Sequence, residues 1–270
     1  MDVAIPHDVL SEAPDEESKV RKLGYIARAA AIFRVEKIII YTYGDVDHEG
    51  VEEMRLLLEY AATPPHLRRK VFRLDKRLRL AGLLPPLKIP SHLAPRSPAV
   101  GDVVEGIVER WDGYYSMVYI GAGKWAKVPK PYPVGSRLIV KLEAQRDKDV
   151  FRGVVLKNPP DYWGYKVEVK GLRELADGYD YVILTGKEGR SVCEILPRPE
   201  GKTLVVFGGP RAGVDEIMKR EGVELRGLFL NFAPKQGTET IRTEEAMFIV
   251  LALLNYAERC SAGKPLHLLK

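Results

Sequence analysis

Residues 227–250 read GLFLNFAPKQGTETIRTEEAMFIV. An apolar run ends at Asn231, a mostly polar segment follows, and a strongly apolar helical pattern then begins. Gly, Thr, Gln and charge placed between a buried strand and a buried helix read as the wall of a pocket. Two other stretches share this grammar: VILTGKEGRS (182–191) and VVFGGPRAG (205–213), each an apolar run closed by glycine. If the three runs are parallel neighbouring strands, their loops converge on one edge of a sheet, where α/β proteins place ligands. Gly186, Gly209 and Gly237 would then let backbone come close to a bound molecule.

Outward from these loops, the chain opens as β-α-β-α. MDVAI is extended, and Val20, Leu23, Ala27, Ala30 and Ala31 repeat at helical spacing behind the acidic start Asp15, Glu16 and Glu17. KIIIYTY (37–43) suits a strand buried on both faces, and VEEMRLLLEYAA (51–62) is a second amphipathic helix. A proline-rich stretch from Pro85 to Pro98 breaks this pattern. Short alternating strands follow at VVEGIVERW, YYSMVYIG, KWAKV, SRLIVKLE and VFRGVVL, separated by glycine-containing turns, the pattern of a small barrel. Strand candidates then return at YKVEV, DYVILT, KTLVVF and LRGLFLN, with helices at VDEIMKRE and EEAMFIVLALLNYAER. The expected fold class is α/β, one domain (1–95 and 158–270) interrupted by an all-β insertion (96–157).

The composition supports a cored, unstapled protein: 270 residues, 46% hydrophobic, with Cys193 and Cys260 as the only cysteines and no zinc spacing. No signal-peptide pattern or long apolar span is present, so the reading is a cytoplasmic protein without a membrane partner. The net charge of +5 is concentrated, because residues 96–157 hold 11 Lys and Arg against 7 Asp and Glu. The same segment carries Trp111, Tyr114, Tyr115, Tyr119, Trp125, Tyr132 and Phe151. Exposed rings among cations are how small barrels hold single strands of nucleic acid, whereas buried rings would merely fill the core. Residues 66–80 hold seven Lys and Arg against one Asp, with Leu67, Val71, Leu74 and Leu78 on one expected helical face.

Several chemistries are disfavoured. The GKT at 201–203 has Leu196 where a phosphate-binding loop needs glycine, and no G-x-G-x-x-G occurs in VVFGGPRAG. His7, His48, His66, His92 and His267 show no metal spacing, so no metal is expected. Glu244 and Glu245 fall where they complement a helix dipole.

GYIARAAAIFRVEKIIIY, LLLEYAATPPHLRRK and FGGP followed by NFAPKQGTETIRTEEA together resemble the SPOUT methyltransferases, in the RNA-modifying branch that carries an inserted OB-like (S1-like) barrel. The resemblance implies a C-terminal trefoil knot, S-adenosylmethionine bound within it, an RNA substrate, ribosomal RNA first among them, and a homodimer whose partner completes the site. It implies cofactor contacts from Thr185, Gly186 and Glu188, from Gly208 and Gly209, and from Asn231, Gln236, Gly237 and Thr240. The turn near Thr240 and Ile241 would meet the methionine carboxylate. Gly24 would permit close packing of the first helix. Relatives in this branch suggest uridine N3 as the acceptor, with Arg28 and Arg242 as cations stabilising a developing anion and Glu239 as proton acceptor. The alternative is an RNA-binding scaffold that keeps the fold without turnover, distinguished by failure to bind the cofactor.

Overall fold

The structure, a computed structural model, describes residues 1–92 and 97–260. The expected boundary at residues 95 and 96, and His267, lie outside the described residues. The chain forms two compact units: residues 1–59, 80–85 and 165 onward make one, and residues 60–79 and 86–164 the other.

The first unit is built on six strands: β1 (Asp2–Pro6), β2 (Lys37–Thr42), β8 (Lys166–Gly171), β9 (Tyr181–Ser191), β10 (Thr203–Val206) and β11 (Leu228–Asn231). They are ordered β11-β9-β10-β1-β2-β8, and every neighbouring pair is parallel. A parallel sheet needs crossovers, and α1 (Glu16–Ile32), α2 (His48–Ala62), α4 (Val214–Glu221) and α5 (Thr243–Cys260) are the helices between or after its strands. Ile39, Tyr41, Val182, Leu184, Leu204 and Val206 form one buried cluster with Val214 and Ile217 of α4. The alternate residues Val3, Ile5, Ile38, Ile40, Ile183 and Val205 are equally buried and face the other way. Burial on both faces is why β1, β2 and β10 and the start of β9 read as unbroken apolar runs, whereas the edge strands β8 and β11 are partly exposed.

Helix α1 starts where the acidic run predicts, with Asp15 Oδ1 accepting from the Ser18 amide at 2.7 Å. It packs on α5. Gly24 does permit a close approach, but by a proline ring: a Cβ there would lie 2.4 Å from Pro85 Cδ. No helix among the described residues is long and apolar enough to cross a membrane.

The second unit contains β3 (Val103–Trp111), β4 (Ser116–Gly121), β5 (Lys124–Val128), β6 (Arg137–Asp147) and β7 (Val150–Val155), closed in the order β3-β4-β5-β7-β6. All neighbouring pairs are antiparallel except β5 and β7. Val104, Val118, Ile120, Val140, Leu142 and Phe151 fill its core.

The expected long amphipathic helix over 66–80 is not formed. Only α3 (Arg68–Val71) is α-helical there, Phe72 turns extended, Leu74 is fully exposed, and Lys76–Leu78 makes a single 3-10 turn. Local partners replace the helical ladder. Arg68 donates to the Thr63 carbonyl at 3.1 Å and lies over the Tyr60 ring, while Arg77 forks onto Asp75. The Arg77 guanidinium and amide hold the Asp75 carboxyl down at about 2.

Candidate active site

The three glycine-bearing segments follow or interrupt β9, β10 and β11, which are adjacent and parallel, so they meet at one edge of the sheet. Between them lies a cavity of about 370 Å³, large enough for a nucleoside-sized ligand. Of the residues singled out from sequence, Thr185, Gly186, Glu188, Gly208, Gly209, Asn231, Gln236, Glu239, Thr240 and Arg242 all line it. Gly237 and Arg28 do not.

Each wall has its own construction. The β9 segment is more than a turn after a strand, since the chain stays extended to Ser191. Ile183 and Leu184 pair with Leu228 and Phe229, the register then shifts, and pairing resumes between Arg190 and Leu230. The residues between are displaced from the ladder and become wall. This is possible because Gly189 lies against the neighbouring backbone: a Cβ there would be 2.5 Å from the Leu230 carbonyl carbon. At Gly186 a Cβ would be 2.5 Å from the Phe229 ring, and at Gly208 3.0 Å from Gly213 Cα. These glycines serve the packing of one wall segment on another.

Gly237 is different, since a Cβ there meets nothing within 4 Å. No neighbouring atom of the chain therefore requires glycine at 237. Gly189→Ala should destabilise the protein by about 2 kcal/mol, whereas Gly237→Ala should leave the melting temperature unchanged. Thermal unfolding of the two variants checks this; equal effects would contradict the steric assignment.

The third segment, 231–242, is polar because it scaffolds itself. Asn231 Nδ2 donates to the Lys187 carbonyl at 2.7 Å, and its Oδ1 accepts from the Ala233 amide at 2.9 Å. One side chain thereby tethers the loop to the β9 wall and shapes its first turn. Gln236 Nε2 donates to the carbonyls of Thr238 and Glu239, at 3.0 and 3.2 Å. At its far end the Thr243 hydroxyl donates to the Gly208 carbonyl at 2.9 Å, joining the start of α5 to the β10 wall. Glu245 accepts from the Arg242 amide at 2.9 Å, capping the helix with its own carboxylate.

The floor is apolar, with Phe207, Leu230, Phe232, Ala246, Ile249 and Val250, while the walls are acidic. Glu12, Glu188, Asp215, Glu216 and Glu239 face Lys187, Arg211 and Arg242. Such a donor set suits a ligand with an apolar-faced ring system, hydroxyls and net positive charge. Glu12 was not foreseen in sequence. It sits in the turn after β1, and no motif marks it. The α5 residues Ala246, Ile249 and Val250 were legible only as helix core.

In the barrel unit, Phe151 is buried, but Trp111, Tyr114 and Tyr115 are exposed and Tyr119, Trp125 and Tyr132 are half-buried. Tyr119 and Trp125 meet edge to face with centroids 5.8 Å apart. Lys70 Nζ lies 5.1 Å over the Tyr119 ring and pairs with Glu109 at 2.8 Å, and Lys127 Nζ lies 5.8 Å over Tyr115. The hydrogen bond to Glu109 raises the Lys70 ammonium above its ordinary value, so this cation stays charged at neutral pH. Phe151 fills the core and Tyr132 packs against it, while Trp111, Tyr114 and Tyr115 remain at the surface. No group of three or more His, Cys, Asp or Glu able to hold a metal ion occurs among the described residues.

Comparison with known proteins adds the following. A family model described as "Putative RNA methyltransferase" matches residues 1–254. A human protein named 28S rRNA (uridine-N(3))-methyltransferase is 32% identical over 94% of this chain and 77% of its own length. The mouse protein of the same name is 30% identical, over 94% of this chain and 75% of its own. An uncharacterized protein of Haloarcula marismortui is 31% identical, covering 95% of this chain and 99% of its own length.

Proposed function

The chain belongs to the RNA methyltransferase family whose model spans residues 1–254, and on that premise we propose that it transfers a methyl group from S-adenosylmethionine to N3 of a uridine in ribosomal RNA. The observation that carries this reading is the cavity itself: three adjacent parallel strands end on it, its floor is apolar and its walls carry excess carboxylate. The acidic excess matches the sulfonium and ammonium charges of the cofactor, and the apolar floor matches its adenine. The uridine-N3 assignment rests on the names of the human and mouse relatives.

S-adenosylmethionine held between the three walls would supply a methyl group made electrophilic by the positively charged sulfur that carries it. The work left to the chain is alignment and charge management at the acceptor. Uridine N3 must lose its proton as the new N–C bond forms and the S–C bond breaks. Glu239, exposed on the cavity wall, receives that proton. Arg242, on the same wall and largely exposed, stabilises the negative charge that develops on the base. Thr185, Gly186 and Glu188, Gly208 and Gly209, and Asn231, Gln236 and Thr240 form the cofactor walls, Asn231 and Gln236 by fixing loop backbone.

The trefoil knot belongs to the same proposal. It is supported by the way the first turns of α5 line the same cavity as the β9 and β10 walls, with Thr243 bonded to Gly208. The homodimer is supported by an apolar stripe: Tyr25 and Ile32 on α1 are 58% and 48% exposed, and Tyr256 on α5 is 39% exposed. Arg28 shares the face of Tyr25 and Ile32 at helical spacing and lies off its own cavity, which suits delivery to a partner's site. We place the reaction in the cytoplasm.

The barrel, read as OB-like, grips the RNA through its cations and surface rings. Trp125→Ala and Lys127→Ala should each weaken RNA binding about tenfold, and affinity should fall steeply with salt. Fluorescence anisotropy with labelled RNA checks both; salt-independent binding would contradict the barrel assignment. The whole reading is tested by calorimetry with S-adenosylmethionine and mass-spectrometric mapping of RNA incubated with labelled cofactor. Labelled 3-methyluridine is expected. Absence of cofactor binding would favour the scaffold.

A further inference from the structure

Lys22 lies in the middle of α1 with only 6% of its side chain exposed. Its ammonium contacts Glu12 Oε1 and lies 3.2 Å from Glu244 Oε2. Glu244 Oε2 is buried without a hydrogen-bond partner, and the Lys22 ammonium faces it by charge rather than through an aligned bond. Glu12 in turn faces Arg242, with Oε1 3.9 Å from Nε. Three segments distant in sequence thus meet on one buried cation: the turn after β1, the middle of α1, and the junction where the polar loop becomes α5. Glu12 and Arg242 reach the cavity wall, and Lys22 does not.

Burying a lysine and a carboxylate in this way is poor value as stability, since apolar side chains of similar volume at both positions would avoid the desolvation of both charges. What the arrangement does supply is place. Charge on Lys22 holds Glu12, and Glu12 presents a carboxylate to the guanidinium of Arg242. The same ammonium draws Glu244, and with it the first turn of α5, toward α1. Arg242 is otherwise largely exposed, and an exposed arginine on a loop has many rotamers.

We infer that Lys22 is a positioning residue for methyl transfer, acting through Glu12 to hold the Arg242 guanidinium where the acceptor base docks. This rests on the methyltransferase reading of the cavity. It goes beyond that reading in assigning a role to a buried cation that touches neither cofactor nor RNA.

The test uses the full chain with S-adenosylmethionine and RNA. Lys22→Met keeps length and burial but removes the charge. It should lower kcat about tenfold to a hundredfold, with KM for S-adenosylmethionine and the cofactor Kd within about threefold of wild type. Lys22→Arg should recover part of the loss. In an Arg242→Ala background, Lys22→Met should cause no further loss, because both changes remove one device. Should Lys22→Met fail to fold, Glu12→Gln is the second variant, since it leaves Lys22 paired with Glu244 and should give the same kcat loss and the same absence of effect in the Arg242→Ala background. Unchanged kcat in these variants, or losses that multiply with Arg242→Ala, would overturn the inference while leaving the parent reading intact. Wild-type protein that binds no S-adenosylmethionine would instead overturn the parent reading, and this inference with it.

Discussion

Ala246→Trp is expected to abolish S-adenosylmethionine binding while leaving the fold standing. Ala246 is on the first turns of α5, half-buried, and lines the floor of the cavity. An indole there would occupy much of the roughly 370 Å³ that the adenosyl group needs. The affinity should fall at least about 100-fold, about 2.7 kcal/mol. Because the ring enters open space instead of the packed core beneath Met247 and Val250, unfolding stability should change by less than about 1 kcal/mol. Calorimetric titration with the cofactor and a thermal melt on the same sample separate the two effects. Undiminished affinity in a folded variant would place the cofactor elsewhere and remove the basis for every role assigned to the three walls.

Arg242→Ala carries the second large effect, and it falls on turnover. A cation that interacts with the base only as negative charge develops contributes to the transition state and little to the ground state. Its removal should lower kcat about 100- to 1000-fold, about 3 to 4 kcal/mol. S-adenosylmethionine affinity should stay within about threefold of wild type. Arg242→Lys should restore part of the rate, since the charge returns without the planar fork. Single-turnover methylation of RNA at saturating cofactor measures this directly. A variant with wild-type turnover would reduce Arg242 to an exposed ion pair with Glu12, of little energetic weight.

The two variants divide the site along its chemistry. The floor is contributed by buried or half-buried side chains of α5, of β11 and of the residues just after β10 and β11, so filling it acts on binding. The rim is contributed by Glu239 and Arg242, which are exposed and whose backbone is held by loop and capping hydrogen bonds, so altering it acts on the rate.

Much of this was legible in the chain. The apolar runs at 182–185 and 203–206 are strands because a sheet buried on both faces accommodates such runs, 228–231 joins them as an edge strand, and a parallel sheet puts their C-terminal ends together. The alternation over 103–155 marks the barrel because each strand has one face in a small core. The polar character of 231–242 announces a wall, and Asn231 and Gln236 prove to shape it through their own amides. The 66–80 stretch misleads because helical periodicity says nothing of competing partners. Arg68 and Arg77 bond locally to Thr63 and Asp75, and the helix stops after one turn.

What the sequence by itself determined, then, is periodicity and chemistry: which segments alternate, which are buried on both sides, and which loops are rich in glycine and amide side chains. These are local properties, set by each residue's own backbone preference and solubility. Tertiary structure alone decided which walls face one another, that Gly189 rather than Gly237 is sterically required, and that Glu12, Lys22, Arg242 and Glu244 share one cluster. The contacts of Glu12 with Arg242 and of Lys22 with Glu244 join residues more than two hundred positions apart, where no spacing rule applies. They are fixed by the strand order β11-β9-β10-β1, which follows from how apolar faces cover each other and not from any one segment.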